Sequence, residues 1–171
     1  MSQDDLSYLN RTVFTLRIIL FALVMSPAIF AGIAVFIVWN QNGPLAPNND
    51  LLTWVLIACA APMLLLQFVL PPIVLNATCR RIMTKPTAAS VDSLMNAYRS
   101  HLIIAWSMCE GAAFTVLIGY MLEGNPVMLG IAGVAIMLMV LRLPTVNGLA
   151  AWLERQRDLL ANPQSDELRT Y

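Results

Sequence analysis

The sequence predicts an all-α integral membrane protein, and its composition is the first observation that indicates this class. Of the 171 residues, 58% are hydrophobic and 12% are charged, whereas a soluble domain has about 25% charged residues. The second observation is a set of four apolar runs, each near the length of a helix that crosses a hydrocarbon core of about 30 Å. The third is the position of the basic residues between those runs. The length fits one domain, 1–171.

Polar connections separate the four predicted spanning helices. These helices cover about residues 13–39, 51–75, 102–122 and 126–142. Asn125 and Pro126 are typical of a helix N-cap and a first helical residue. We therefore expect a tight turn that makes the last two spans antiparallel neighbours.

Prolines interrupt the second predicted span. Proline has no backbone N–H, so it frees the carbonyl that lies four residues earlier in a helix. Pro71 and Pro72 therefore free the carbonyls of Gln67 and Phe68. In a membrane, neighbouring helices or waters must supply the missing donors. Such breaks occur at transporter ion sites and also as simple kinks, and the sequence leaves both interpretations open.

Both ends of the chain are predicted to lie outside the membrane. Residues 1–12 form a polar N-terminal segment that begins a helix, and residues 162–171 have the composition of a mobile tail. The segment 145–161 is predicted as an amphipathic helix, with its helical core at about 146–160. Leu149 and Trp152 recur at helical spacing on its apolar face, and tryptophan suits a membrane interface.

The basic residues predict the orientation of the chain. On the four-span assignment they all lie at the N terminus, between spans two and three, or after span four: Arg11, Arg17, Arg80, Arg81, Lys85, Arg99, Arg142, Arg155, Arg157 and Arg169. The other two connections, 40–50 and 123–125, contain none. The positive-inside rule then puts both termini in the cytoplasm.

A single acidic residue, Glu110, lies inside the third predicted span. An acidic side chain costs about 2.5–3.5 kcal/mol at the centre of a spanning helix, so it indicates a functional site or a paired charge. Arg17 and Gln67 are the predicted partners at similar depth. An ion pair between Glu110 and Arg17, with Gln67 hydrogen-bonded to it, would be structural. The alternative is a carboxylate that binds or relays a proton or another cation.

A stripe of small residues runs along the same helix. Its members, each four positions apart, are Ser107, Gly111, Thr115 and Gly119. Small residues at this spacing allow helix backbones to approach closely and to form hydrogen bonds between helices. The stripe predicts either packing within the chain, where Gly130, Gly133 or Gly32 would complement it, or a contact between copies.

Several functional classes find no support in the sequence. It contains no nucleophile–base set and no glycine-rich phosphate loop, so we expect no catalytic residues and no enzyme activity. The cysteines Cys59, Cys79 and Cys109 have no metal-binding spacing, and neither a metal nor a cofactor is expected. The net charge of zero gives no reason to expect nucleic acid as a partner.

The segment IIAWSMCEGAAFTVLIGYMLEGN, residues 103–125, resembles a helix found in small bacterial four-span proteins of unassigned function. It is also similar to the second helix of the proteolipid (c) subunits of rotary ATP synthases. That resemblance implies that Glu110 matches an ion-carrying carboxylate. It is confined to this helix, because the preceding span has no glycine whereas the first helix of that family is rich in glycine.

These observations lead to two expectations of function. The first is a non-enzymatic subunit or scaffold of the bacterial cytoplasmic (inner) membrane, embedded in lipid, that forms a homo-oligomer or joins a larger membrane complex. The second is a membrane component that translocates protons or other cations with Glu110.

Overall fold

The computed structural model describes residues 3–40, 50–83 and 91–161, and within them the chain is all-helical. The five helices are α1 (Gln3–Asn40), α2 (Asp50–Met83), α3 (Val91–Glu123), α4 (Pro126–Leu141) and α5 (Val146–Ala161). The predicted helical class is therefore confirmed. The predicted tail at 162–171 lies outside the described residues, as do most of the connection after the first span and the centre of the connection after the second.

The first three helices are longer than the spans predicted within them. α2 continues through Pro71 and Pro72 as far as Met83, and α3 already begins at Val91. The polar connection expected at 76–98 is thus helical at both ends. At 1.5 Å per residue, α1, α2 and α3 are each about 50 Å long or more, so they extend well beyond a hydrocarbon core of about 30 Å.

Three helices are long and apolar enough to cross a membrane, or four if α4 and α5 together form one bent span. The bend between these two helices is 65°. α4 alone has 16 residues, which is about 24 Å of helix.

α3 is the central helix of the molecule. Half of its most apolar stretch is buried, against 17% in α1 and in α2. It packs against α1, α2 and α4, whereas α1 and α2 make no extensive contact with each other within the described residues. The side chains of Trp106, Leu117 and Val116 are fully buried on α3. The helix that carries Glu110 therefore forms the core against which the others pack.

A tight turn joins α3 to α4, as the sequence predicts. Gly124 adopts a positive φ of 70°, a conformation that favours glycine because it has no Cβ. Asn125 caps α4 by accepting a hydrogen bond from the Val127 backbone N–H at 3.1 Å, and Pro126 begins the helix. The two helices are packed neighbours.

A second apolar core, which we call the basal cluster, lies at the end of the bundle where α1 and α3 begin. It contains Leu9, Val13, Cys79, Leu94, Met95, Leu149 and Leu153. Leu149 and Leu153 belong to α5, so the apolar face of this amphipathic helix packs on the bundle. Trp152, expected at a membrane interface, packs against Tyr98 of α3 in a tilted arrangement, with ring centroids 5.1 Å apart.

Candidate functional site

A strip of exposed and half-buried side chains runs along α3 between its contacts with α1 and with α2, and we call it the α3 groove. Its floor is the exposed or half-buried side of α3: Ile103, Ser107, Glu110, Gly111, Phe114 and Ile118. α1 forms one wall, where Phe30 packs on Phe114 with ring centroids 5.3 Å apart. α2 forms the other wall, where Met63 lies beside Gly111. The groove exists because both outer helices pack on α3 without closing over it.

Glu110 lies in the floor of the α3 groove and is half-buried. Its carboxylate is within hydrogen-bonding reach of the Ser26 hydroxyl on α1. Ser26 is itself exposed. This carboxylate therefore has a neutral hydroxyl as its partner and remains open on one side.

Arg17 does not lie beside Glu110. Its Nε donates a hydrogen bond to the carbonyl oxygen of Pro144, at 3.3 Å, in the connection between α4 and α5. Ser26, which contacts Glu110, is nine residues farther along α1, about 14 Å of helix. The structure therefore separates the two members of the anticipated ion pair, and Arg17 instead ties α1 to the α4–α5 connection.

Gln67 lies at the depth anticipated for it, but on a different side of α3. Its Oε1 accepts a hydrogen bond from the thiol of Cys109, the residue before Glu110. Gln67 is fully buried, and its Nε2 has no hydrogen-bond partner. Gln67 thus belongs to the interface of α2 and α3 and not to the α3 groove.

The small-residue stripe splits along its length. A Cβ on Gly119 would lie 2.6 Å from Sδ of Met128 and 2.7 Å from Cδ1 of Leu56, so this glycine allows α2 and α4 to approach α3 closely. Thr115 donates a hydrogen bond to the Gly111 carbonyl at 2.8 Å, within α3. Ser107 is exposed in the α3 groove. The stripe is therefore packed within the chain at Gly119, near the C-terminal end of α3, and is open at Ser107.

The three glycines expected as complements of the stripe have open surroundings. A Cβ at Gly32, Gly130 or Gly133 would meet no atom within 4 Å outside its own helix. These positions therefore face away from α3.

Arg142 has a role that the sequence analysis did not assign. Its Nη1 donates a hydrogen bond, at 3.2 Å, to the Gln67 carbonyl, one of the two carbonyls that the proline pair frees. Its guanidinium also lies over the Phe68 ring, 4.9 Å from the centroid. The proline pattern revealed the need for a donor, but only the fold identifies Arg142 as that donor.

Glu123 is a second carboxylate on α3 and lies buried at the C-terminal end of this helix. It is 4% exposed, and its Oε2 accepts a hydrogen bond from the Thr53 hydroxyl in the first turn of α2. Its Oε1 has no hydrogen-bond partner. The unpaired N–H groups and dipole of a helix N-terminus favour a carboxylate there, so Glu123 fastens α2 to the end of α3.

The described residues contain no group of three His, Cys, Asp or Glu side chains that would hold a metal ion. Cys59, Cys79 and Cys109 are free thiols. Comparison with known protein families, curated proteins and solved structures finds nothing that matches this chain.

Proposed function

We propose that this chain is a non-enzymatic subunit of the bacterial cytoplasmic membrane that associates with a second copy through the α3 groove. In this arrangement α4 is a separate fourth span, α5 lies on the cytoplasmic side, and both termini are cytoplasmic. The proposal rests on one observation, the half-buried carboxylate of Glu110 in the floor of the open α3 groove, on a helix long and apolar enough to cross a membrane.

The cost of leaving an acid next to lipid favours a partner that covers it. Among the described residues, the Ser26 hydroxyl is the hydrogen-bonding partner shown for Glu110, and a carboxylate can accept several hydrogen bonds. Polar side chains in spanning helices almost always face the interior of a bundle or a water-filled cavity. A covering helix with hydroxyl groups would supply the remaining donors.

A second copy of the chain presents such hydroxyls at the right depth. A twofold axis along the membrane normal keeps every residue at its own depth in both copies. The exposed hydroxyl group of Ser107, three residues before Glu110, would then lie within about one helical turn of Glu110 of the other copy. In such a dimer, a hydroxyl of each copy would face the carboxylate of the other. The other exposed residues of the α3 groove are apolar and would pack against one another.

The experiment measures the dimer fraction of the purified protein in lipid vesicles, by energy transfer between labelled copies at increasing dilution. Glu110→Leu removes the acceptor and also the cost of exposing a charge. We expect it to raise the dissociation constant about tenfold or more, since two symmetric hydrogen bonds of roughly 0.6–1 kcal/mol are lost.

Met137→Leu is the matched control, because Met137 is exposed on α4, away from the groove. It should leave the dissociation constant unchanged. A native protein that stays monomeric, or a Glu110→Leu variant that dimerises like the native protein, would contradict the proposal.

The second candidate function is translocation of a proton or another cation by Glu110. The observation that favours it is the neutral partner of the carboxylate: Ser26 bonds to Glu110, while Arg17 lies at Pro144. Glu110→Gln decides between the candidates, because it keeps hydrogen bonding but removes the titratable group. Loss of flux in vesicles with dimerisation intact supports translocation, whereas native vesicles with no flux above empty vesicles exclude it.

A further inference from the structure

A polar cavity lies where α4 ends, on the side of α3 that faces α2. Its volume is about 390 Å³. The residues that matter for its chemistry are Gln67, Phe68, Tyr98, His101 and Arg142. Gln67 is 16 residues after Leu51, about 24 Å into a hydrocarbon core of about 30 Å. Tyr98 precedes Cys109, the hydrogen-bond partner of Gln67, by 11 residues, about 16 Å of helix. The cavity therefore extends from the level of Gln67 toward the end of the bundle where α3 begins, which the proposed orientation puts at the cytoplasmic headgroups.

Arg142 supplies a fixed positive charge to this cavity. Its hydrogen bond to the Gln67 carbonyl and its position over the Phe68 ring hold the guanidinium in place. A guanidinium has five N–H donors, and the bond to the Gln67 carbonyl uses one of its nitrogens. The described lining of the cavity includes no aspartate or glutamate, so no carboxylate in the wall neutralises Arg142.

Two further side chains of the wall have buried polar atoms without partners. Gln67 is fully buried, its Oε1 is occupied by Cys109, and its Nε2 is unpaired. Nδ1 of His101 is also buried and unpaired. A buried polar atom without a partner costs about 1–3 kcal/mol. A ligand that accepts hydrogen bonds would relieve that cost at Gln67 and, with Nδ1 protonated, at His101.

We propose that this cavity binds a phosphate group, held by Arg142 and hydrogen-bonded by Gln67 and His101. Guanidinium groups bind phosphate oxygens with two parallel hydrogen bonds, and basic pockets between spanning helices on the cytoplasmic side bind the headgroups of anionic lipids. The phosphate comes either from such a headgroup or from a free anion in the cytoplasm, and the two sources share this chemistry.

The test measures dissociation constants of the full chain in neutral detergent, by native mass spectrometry and by the shift in its thermal unfolding midpoint. The probes are a short-chain phosphatidylglycerol, the matching phosphatidylcholine and inorganic phosphate. Preferential binding of phosphatidylglycerol assigns the lipid source, and binding of inorganic phosphate at similar affinity assigns the free anion. No binding of any of the three probes overturns the proposal.

Three variants locate the binding. Arg142→Gln should weaken it roughly tenfold or more through loss of a charged bidentate contact, and His101→Leu should weaken it several-fold. Arg80→Gln, an exposed arginine on the last part of α2, should bind as the native protein does. Arg142→Gln also leaves the Gln67 carbonyl unpaired. If this variant does not fold, the affinity of His101→Leu is the deciding measurement. Native affinity in His101→Leu overturns the proposal.

Discussion

At the level of single residues, arginine side chains donate hydrogen bonds that connect different parts of the chain near the ends of the apolar helices. Arg142 supplies a donor to the Gln67 carbonyl that Pro71 leaves free. Arg17 donates to the Pro144 carbonyl in the α4–α5 connection, and Arg99 donates to the Thr12 hydroxyl on α1 at 2.9 Å. Each of these guanidinium groups joins two elements of the fold. The arginines therefore stabilise the packing of the helices, in addition to predicting the orientation of the chain.

Glu123, the buried carboxylate at the C-terminal end of α3, allows a test at the level of a single side chain. Thr53→Val keeps the shape of the side chain but removes the hydroxyl that bonds to Glu123. Because the carboxylate is then buried with neither oxygen paired to a side chain, we expect the free energy of unfolding to fall by about 1–3 kcal/mol. Unfolding in mixed detergent micelles measures the difference. Thr53→Ser retains the hydroxyl and should be close to native, and equal stability of the two variants would contradict this role.

At the level of helices, side chains of α2 and α4 fill the space beside one glycine of α3. Gly119 is buried between Met128 and Leu56, and both neighbours would have to move to accept a larger residue. The stripe that the sequence suggests as an oligomer contact is, at this position, an internal contact.

Gly119→Leu should therefore destabilise the fold by about 1–3 kcal/mol through overpacking. Gly130→Leu is the matched control, since it makes the same substitution on a helix where a Cβ meets nothing within 4 Å. The comparison of unfolding free energies cancels the intrinsic preference of leucine for a helix. Equal stability of the two variants would show that α3 and α4 are not packed as closely as the structure indicates.

At the level of the whole molecule, the arginines collect at the end of the bundle that contains the basal cluster. α1 and α3 begin there, and α2 and α4 end there. The described members of this group are Arg11, Arg17, Arg80, Arg81, Arg99, Arg142 and Arg155. The opposite end has the α3–α4 turn and the buried Glu123. This polarity supports the proposed orientation, because cytoplasmic loops of membrane proteins are rich in arginine and lysine.

The orientation can be tested with single cysteines and a maleimide that does not cross membranes, in a chain with alanine in place of Cys59, Cys79 and Cys109. Asn42→Cys, in the connection predicted on the outer side, should react in intact cells. Ser165→Cys, in the C-terminal segment, should react only after the membrane is opened. The reverse pattern, or labelling of both sites in intact cells, would contradict cytoplasmic termini.

The chain sequence by itself predicts the helical class, the three long apolar helices and the α3–α4 turn. These follow from local signals, namely apolar length, an Asn-Pro helix start and the pattern of charge, which act within a few residues. It also predicts that carbonyls of α2 need donors. It does not predict that α2 continues as a helix past its apolar run to Met83, because the polar residues at 76–83 are compatible with either helix or loop.

Only the tertiary structure decides which side chains meet. Gln67 bonds to Cys109, Arg142 to the Gln67 carbonyl, Glu110 to Ser26 and Glu123 to Thr53. These pairs depend on the rotation of each helix about its axis and on which helices are neighbours. Hydrophobic length does not encode either property, since an apolar helix suits lipid on every side. For this reason the sequence predicts an acid within an apolar helix at Glu110, whereas the packing of α1 and α2 around α3 decides that this acid lies in the open α3 groove.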